Sequence, residues 1–141
     1  MKNGSQIKAT SAAGDAGRSE ALSMLIIDEA AFIDNIEDIW TSAQSTLSTG
    51  GGAIVLSTPN GVGNWFHKVW VQAMNGEQWN PIELHWTVHP DRNQQWRDEQ
   101  TKLLGEKGAA QECDCDFISS GYTVVEHQRP RHLLLCYLDG G

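Results

Sequence analysis

An α/β domain with a mainly parallel sheet is the fold class this sequence predicts, and two observations predict it. The first is a pair of short apolar runs, Leu22 to Ile27 (LSMLII) and Ala53 to Leu56 (AIVL). Neither shows the polar alternation of a surface strand, so each reads as a strand covered on both faces. The second is helical periodicity in the segments between and after them. Ile36, Ile39, Trp40, Ala43 and Leu47 share one helix face, and Trp65, Phe66, Val69, Trp70 and Ala73 share another. Strand, helix, strand, helix in that order calls for parallel neighbours joined by crossover helices.

The elements follow in order. Ser5 to Ala12 (SQIKATSA) alternates weakly and is expected to be a strand, and a Gly/Ala/Ser-rich loop, Ala13 to Glu20, carries Arg18. Asp34 with Glu37 three residues later forms a D-x-x-E helix start. Gly50, Gly51 and Gly52 end that helix, and Thr58-Pro59-Asn60-Gly61 is good turn chemistry after the second strand. Ile82, Leu84, Trp86 and Val88 alternate with polar residues, as in a half-exposed strand near a sheet edge. A polar helix from about Asn93 to Leu104 comes next, then a short helical stretch to about Cys113.

Composition narrows the function classes. At 141 residues and 40% hydrophobic, the chain fits one domain or a piece of a larger one. No apolar stretch approaches the roughly 18 residues of a membrane span. Three cysteines in no framework spacing suit a reducing compartment, so a cytoplasmic protein is expected. The net charge of −8 argues against this chain alone as a general DNA binder. Between Glu20 and Gly61 there is no basic residue, while Asp28, Glu29, Asp34, Glu37 and Asp38 fall inside that stretch. Such a block repels phosphate unless a cation intervenes.

Ligands of parallel α/β sheets bind at the C-terminal ends of the strands, which directs attention to two motifs. Leu25-Ile26-Ile27-Asp28-Glu29 is an apolar strand ending in two acids. Phosphate hydrolysis needs such a pair: one carboxylate for hydrated Mg²⁺ and a second to orient and deprotonate water. The plain alternative is a pair of acids favoured by the dipole of the next helix. Ser57-Thr58-Pro59-Asn60-Gly61 offers hydroxyl and amide groups beside that pair, although alone it reads as an ordinary turn. Cys113 and Cys115 with His127 and His132 are a poor zinc set, because C-x-C is shorter than the usual gap. His67, His85 and His89 are expected to pack or hydrogen-bond beside the six tryptophans, which read as core.

Together, Leu25 to Ile33 (LIIDEAAFI), Leu56 to Gly61 (LSTPNG), Leu84 to Pro90 (LHWTVHP), Trp96, Gln111-Glu112 and Phe117 resemble the ATPase domain of the large terminase subunit of tailed phages. The similarity runs from about residue 5 to residue 125. It implies a partial RecA-like (ASCE P-loop NTPase) fold and ATP hydrolysis coupled to pumping DNA into a prohead in the host cytoplasm. It makes Asp28 the Walker B acid associated with Mg²⁺, Glu29 the catalytic glutamate, and Ser57, Thr58 and Asn60 the coupling motif. Arg18 matches an arginine that reaches a neighbouring subunit's site in some members. The implied cofactors are ATP and Mg²⁺. The implied partners are double-stranded DNA, the portal protein, the small terminase subunit and other large subunits in a ring.

One departure matters. No G-x-x-x-x-G-K-[ST] occurs in these residues, and Gly14 to Ser19 is too short to replace it, so the β- and γ-phosphates have no cradle. The expected organisation is a partial ATPase domain over residues 1–118, then the start of a linker and an unmatched tail without predicted order over 119–141. A fragment inactive alone is the expectation, from a truncated or frame-shifted reading frame, with exposed apolar surface where the P-loop strand is missing. Two competitors stand beside it: a helicase-type ATPase fragment, and a non-enzymatic α/β interaction protein that docks on a complete terminase.

Overall fold

The computed structural model describes residues 3–12, 21–47, 50–120 and 134–138. They form four strands, β1 (Met24–Ile27), β2 (Gly52–Ser57), β3 (Asn80–Glu83) and β4 (Leu134–Leu138), and three helices, α1 (Ile36–Gln44), α2 (Trp65–Met74) and α3 (Gln94–Cys113). Single 3₁₀ turns cover Ala30–Phe32 and Trp86–Val88. β1, β2, α1 and α2 lie where the apolar runs and helical spacing put them. The cap of α1 differs from expectation, since Asn35 and not Asp34 occupies it and makes no side-chain cap bond. At α2, Asn64 Oδ1 accepts from the His67 amide and satisfies one of the donors that a helix start leaves open.

α3 is two helices in one span. Gly105 sits at φ 73°, ψ 168°, far from helical values and in a region that glycine tolerates. Arg97 makes a bidentate pair with Asp114, at 2.7 Å from Nε and 2.5 Å from the second nitrogen. On a straight helix 17 residues would stand about 25 Å apart, so the break at Gly105 turns the second half back onto the first. This pair holds the Arg97 guanidinium above its usual pKa.

The strand order is β1-β2-β4-β3, and the sheet is mixed, not mainly parallel. β1 and β2 are parallel, but β4 runs antiparallel to both β2 and β3. The parallel expectation fails because residues 134–138, placed in an unmatched tail, supply a central strand. Without β4 the helix-linked pair β2 and β3 would be parallel to each other and one strand apart. Two local expectations also change: residues 5–12 form no regular element, and the strand expected through Val88 ends at Glu83.

Among the described residues, helices cover one face of the sheet only. On it Ile27, Ala53, Val55, Leu134 and Cys136 pack with Phe66, Val69 and Ala73 of α2 and with Ile36 of α1. Trp40 stacks between Trp65 and Trp79, with centroids 5.8 and 5.1 Å away. The opposite face carries Met24, Ile26 and Ile82, all exposed, with Ile54, Leu56, Leu135 and Tyr137 part-exposed between them. Among the described residues β1 is therefore not covered on both faces, and Ile26 is 61% exposed. Gly51 is required where it stands, because a Cβ there would run into the Leu22 carbonyl.

Candidate functional site

β1 and β2 are parallel and in register from Met24 against Gly52 to Ile27 against Val55, so both strands end at the same edge of the sheet. That edge carries Asp28 and Glu29 on one loop and Ser57 to Gly61 on the next. Asp28 Oδ1 accepts from the Glu29 amide at 2.9 Å, which fixes the start of the turn. Glu29 stands at φ 57°, ψ 36°, a left-handed conformation that costs a non-glycine residue on the order of 1–3 kcal/mol. The Phe32 amide then donates to the Glu29 carbonyl at 2.9 Å and closes a 3₁₀ turn.

What sustains the strained turn comes from the neighbouring strand. Ser57 Oγ accepts from the Ala31 amide at 3.1 Å, and Asn60 Nδ2 donates to the Ala31 carbonyl at 3.1 Å. Both main-chain groups of Ala31 are thus held by two of the predicted site residues. Those side chains act as a clamp on the acidic turn. Thr58 differs: it is 1% exposed, and its Oγ1 has no hydrogen-bond partner among the described residues. An unsatisfied buried hydroxyl costs about 1–3 kcal/mol, and such groups collect where a ligand supplies the missing partner.

The second turn is anchored from far along the chain. Gln111 Nε2 donates to the Pro59 carbonyl at 2.7 Å, and the Gly61 amide donates to Ser120 Oγ at 2.9 Å. Ser120 in turn donates to the Phe117 carbonyl at 3.0 Å, and Asn64 Nδ2 donates to the Asn60 carbonyl at 2.8 Å. Gly61 has φ 74°, which suits glycine. The second half of α3 and the turn after it therefore seat the Ser57 to Gly61 loop. Sequence reasoning missed the roles of Gln111, Ser120 and Asn64. Only Asn64 had a local signal, as a cap residue ahead of an amphipathic run.

The structure brings together Asp28, Glu29, Ser57, Thr58 and Asn60. Arg18 lies outside the described residues, as do His127 and His132. Cys113, Cys115 and Cys136 are buried thiols, pushed by desolvation to about 11, 12 and 12. His67 Nδ1 accepts from the Gly63 amide at 3.1 Å, its ring 4.9 Å from Phe117. His85 bonds to Thr87 at 2.9 Å, and His89 accepts from the Asp91 amide. Trp86 and Trp96 are the exception to tryptophan as core: half-buried outside the core cluster, their tilted rings lie 6.2 Å apart, with Arg92 over Trp96.

The strand ends offer oxygen donors, the carboxylates of Asp28 and Glu29 after β1 and the hydroxyls of Ser57 and Thr58 after β2. That suits a hard cation such as Mg²⁺, which takes one or two carboxylates and fills the rest with water and phosphate oxygens. Among the described residues no three acids, histidines or cysteines cluster into an all-protein metal cage. The acidic half fits the cofactor that a phosphate-hydrolysing site needs, and the phosphate cradle is not in these residues.

No solved structure matches the chain. A model of the family described as terminase large subunit, T4likevirus-type, N-terminal, matches residues 1–127. The acids, the turn beside them and the segments that clamp both all fall within that match, and the chain belongs to this terminase large subunit family.

Proposed function

We propose that these residues form the acidic half of the ATP-hydrolysing site of a phage DNA-packaging motor. Family membership implies a role in packaging and sets aside the helicase-type alternative. The observation that carries the finer reading is the doubly clamped Ala31, two residues after the strained Glu29. In this reading Asp28 holds Mg²⁺ through water, and the cation when bound neutralises charge on the terminal phosphates. Glu29 accepts the proton of the attacking water on its carboxylate, and its fixed backbone limits where that oxygen can stand. Thr58 Oγ meets a phosphate oxygen or the water and gains the partner it lacks. Ser57 and Asn60 transmit displacement of the loop to the Ala31 backbone.

The fold that this reading requires is a RecA-like domain of which the strands here are part. Arg18 reaches a neighbouring subunit's site in a ring and stabilises charge on the γ-phosphate. The ring docks on the portal, takes DNA from the small subunit and works in the host cytoplasm. Without a P-loop the described residues are inactive alone. A chimera tests the reading: residues 24–61 replace their counterpart in a P-loop-bearing member of the family. Asp28→Asn then raises the Mg²⁺ needed for half-maximal hydrolysis by roughly tenfold or more. An unchanged Mg²⁺ requirement contradicts it.

A second reading draws on the bare sheet face. Met24, Ile26 and Ile82 are large, apolar and exposed on one side of the sheet. A protein that docks on a complete terminase would cover such a face.

A further inference from the structure

Glu29 keeps its left-handed backbone only while its surroundings hold it there, and the grip on its turn is at Ala31. One half of that grip is Asn60 Nδ2, which donates to the Ala31 carbonyl at 3.1 Å. Where a side chain aims depends on its backbone, and a residue's backbone is two soft dihedrals between two rigid peptide planes. At Asn60 both planes are pinned. The plane before it carries the Pro59 carbonyl, which accepts from Gln111 Nε2 at 2.7 Å. The plane after it carries the Gly61 amide, which donates to Ser120 Oγ at 2.9 Å. The Asn60 carbonyl, in that second plane, accepts from Asn64 Nδ2 at 2.8 Å.

Two of these three holders come from far along the chain, and their bonds lie out of water. Pro59 and Ser120 are fully buried, and Gln111 is 6% exposed. Water therefore cannot stand in for a lost partner, and each lost bond carries its full penalty. Both holders are themselves fixed. Ser120 Oγ donates to the Phe117 carbonyl at 3.0 Å, and Asp116 Oδ1 accepts from the Ile118 and Ser119 amides at 2.9 and 3.3 Å. The Phe117 ring anchors that turn, 6.2 Å from Phe66 and 4.9 Å from His67. Gln111 sits on the part of α3 beyond Gly105, which Arg97 ties down through Asp114.

We propose that Gln111 and Ser120 are positioning residues of the acidic site: they fix the two peptide planes around Asn60, so that Asn60 holds Ala31 and the turn at Glu29 keeps its shape. The site is thereby controlled from a distance. A shift of Ser120 frees the Gly61 amide, lets the Asn60 side chain swing off Ala31 and relaxes the turn that carries Glu29. That this control acts on hydrolysis rests on the proposed function, but the mechanical link does not.

The test uses the full chain without nucleotide, and reads amide hydrogen exchange residue by residue. Ser120→Ala is expected to quicken exchange about tenfold or more at Gly61 and also at Ala31, while the amides of β2 keep their parent rates. Ser120→Thr retains the hydroxyl and keeps both positions near the parent rate. Gln111→Asn, whose donor is one methylene short of Pro59, quickens Ala31 in the same way, and decides the matter where the alanine variant does not fold. In an Asn60→Ala background the link is cut, so Ser120→Ala still quickens Gly61 but adds nothing at Ala31. An Ala31 amide that keeps its parent rate while Gly61 quickens overturns the proposal. So does a quickening of Ala31 that persists in full without the Asn60 side chain. A broken link leaves the Mg²⁺ test of Asp28→Asn standing, and an unchanged Mg²⁺ requirement in that test leaves the link standing.

Discussion

The two faces of the sheet were made by the same four strands and differ in almost everything else. On one, Val55, Phe66 and Cys136 have no exposed surface, and helices supply the cover. On the other, Met24 and Ile26 stand 53% and 61% exposed with nothing over them among the described residues. Alternation along a strand sends successive side chains to opposite faces, so β1 carries Leu25 and Ile27 inward and two apolar residues outward. The sequence of β1 is apolar throughout, yet among the described residues only its Leu25 and Ile27 face is covered. One covered face is enough to hold the fold and to set its strand ends.

That contrast breaks most visibly in the covered layer. Phe66→Ala should cost about 3–5 kcal/mol in urea unfolding, through lost burial and the cavity left beside Val55. Ile26→Ser is the matching change on the bare face, and its expected effect is within about 0.5 kcal/mol. Equal losses at the two positions would mean that the face over Ile26 is covered in solution.

Gln111→Ala should fall between these two, at about 1–3 kcal/mol, because the buried Pro59 carbonyl loses its donor. Amide exchange at Gly61 should quicken in the same variant. Gln111→Glu should not rescue it, since a carboxylate cannot donate. Rescue by glutamate would show that the side chain only fills space.

A smaller effect comes from pH. Burial raises all three thiols, Cys113 to about 11 and Cys115 and Cys136 to about 12, from 9.0. Below 9.0 the thiols are protonated in both states and add no slope. Above it the unfolded chain releases protons that the folded chain keeps, so stability falls as pH rises toward 12. Replacing Cys136 by alanine should flatten part of that decline. A decline unchanged in that variant would place the responsible groups elsewhere.

The legible part of the fold was the part that repeats a local pattern. β1, β2, α1 and α2 came from apolar runs and helical spacing, and the acids came from the rule that parallel sheets act at their strand ends. β4 was illegible because its Leu134 to Leu138 run follows a stretch with no recognisable periodicity, and nothing local says which strands it joins. For Ser57 and Asn60, residue type showed their polarity, and only the tertiary structure showed Ala31 between them. Gln111 and Ser120 bond across 52 and 59 residues, a separation at which sequence pattern carries no signal.

The central claim is that Glu29, held in its left-handed turn, is the base of a site completed from outside these residues. The direct measurement is single-turnover ATP hydrolysis by a P-loop-bearing family member carrying residues 24–61, with and without Glu29→Gln. The account predicts that nucleotide binding is unchanged and that the rate falls by roughly 10²–10⁴-fold. A glutamine variant that hydrolyses ATP at the parent rate would contradict it.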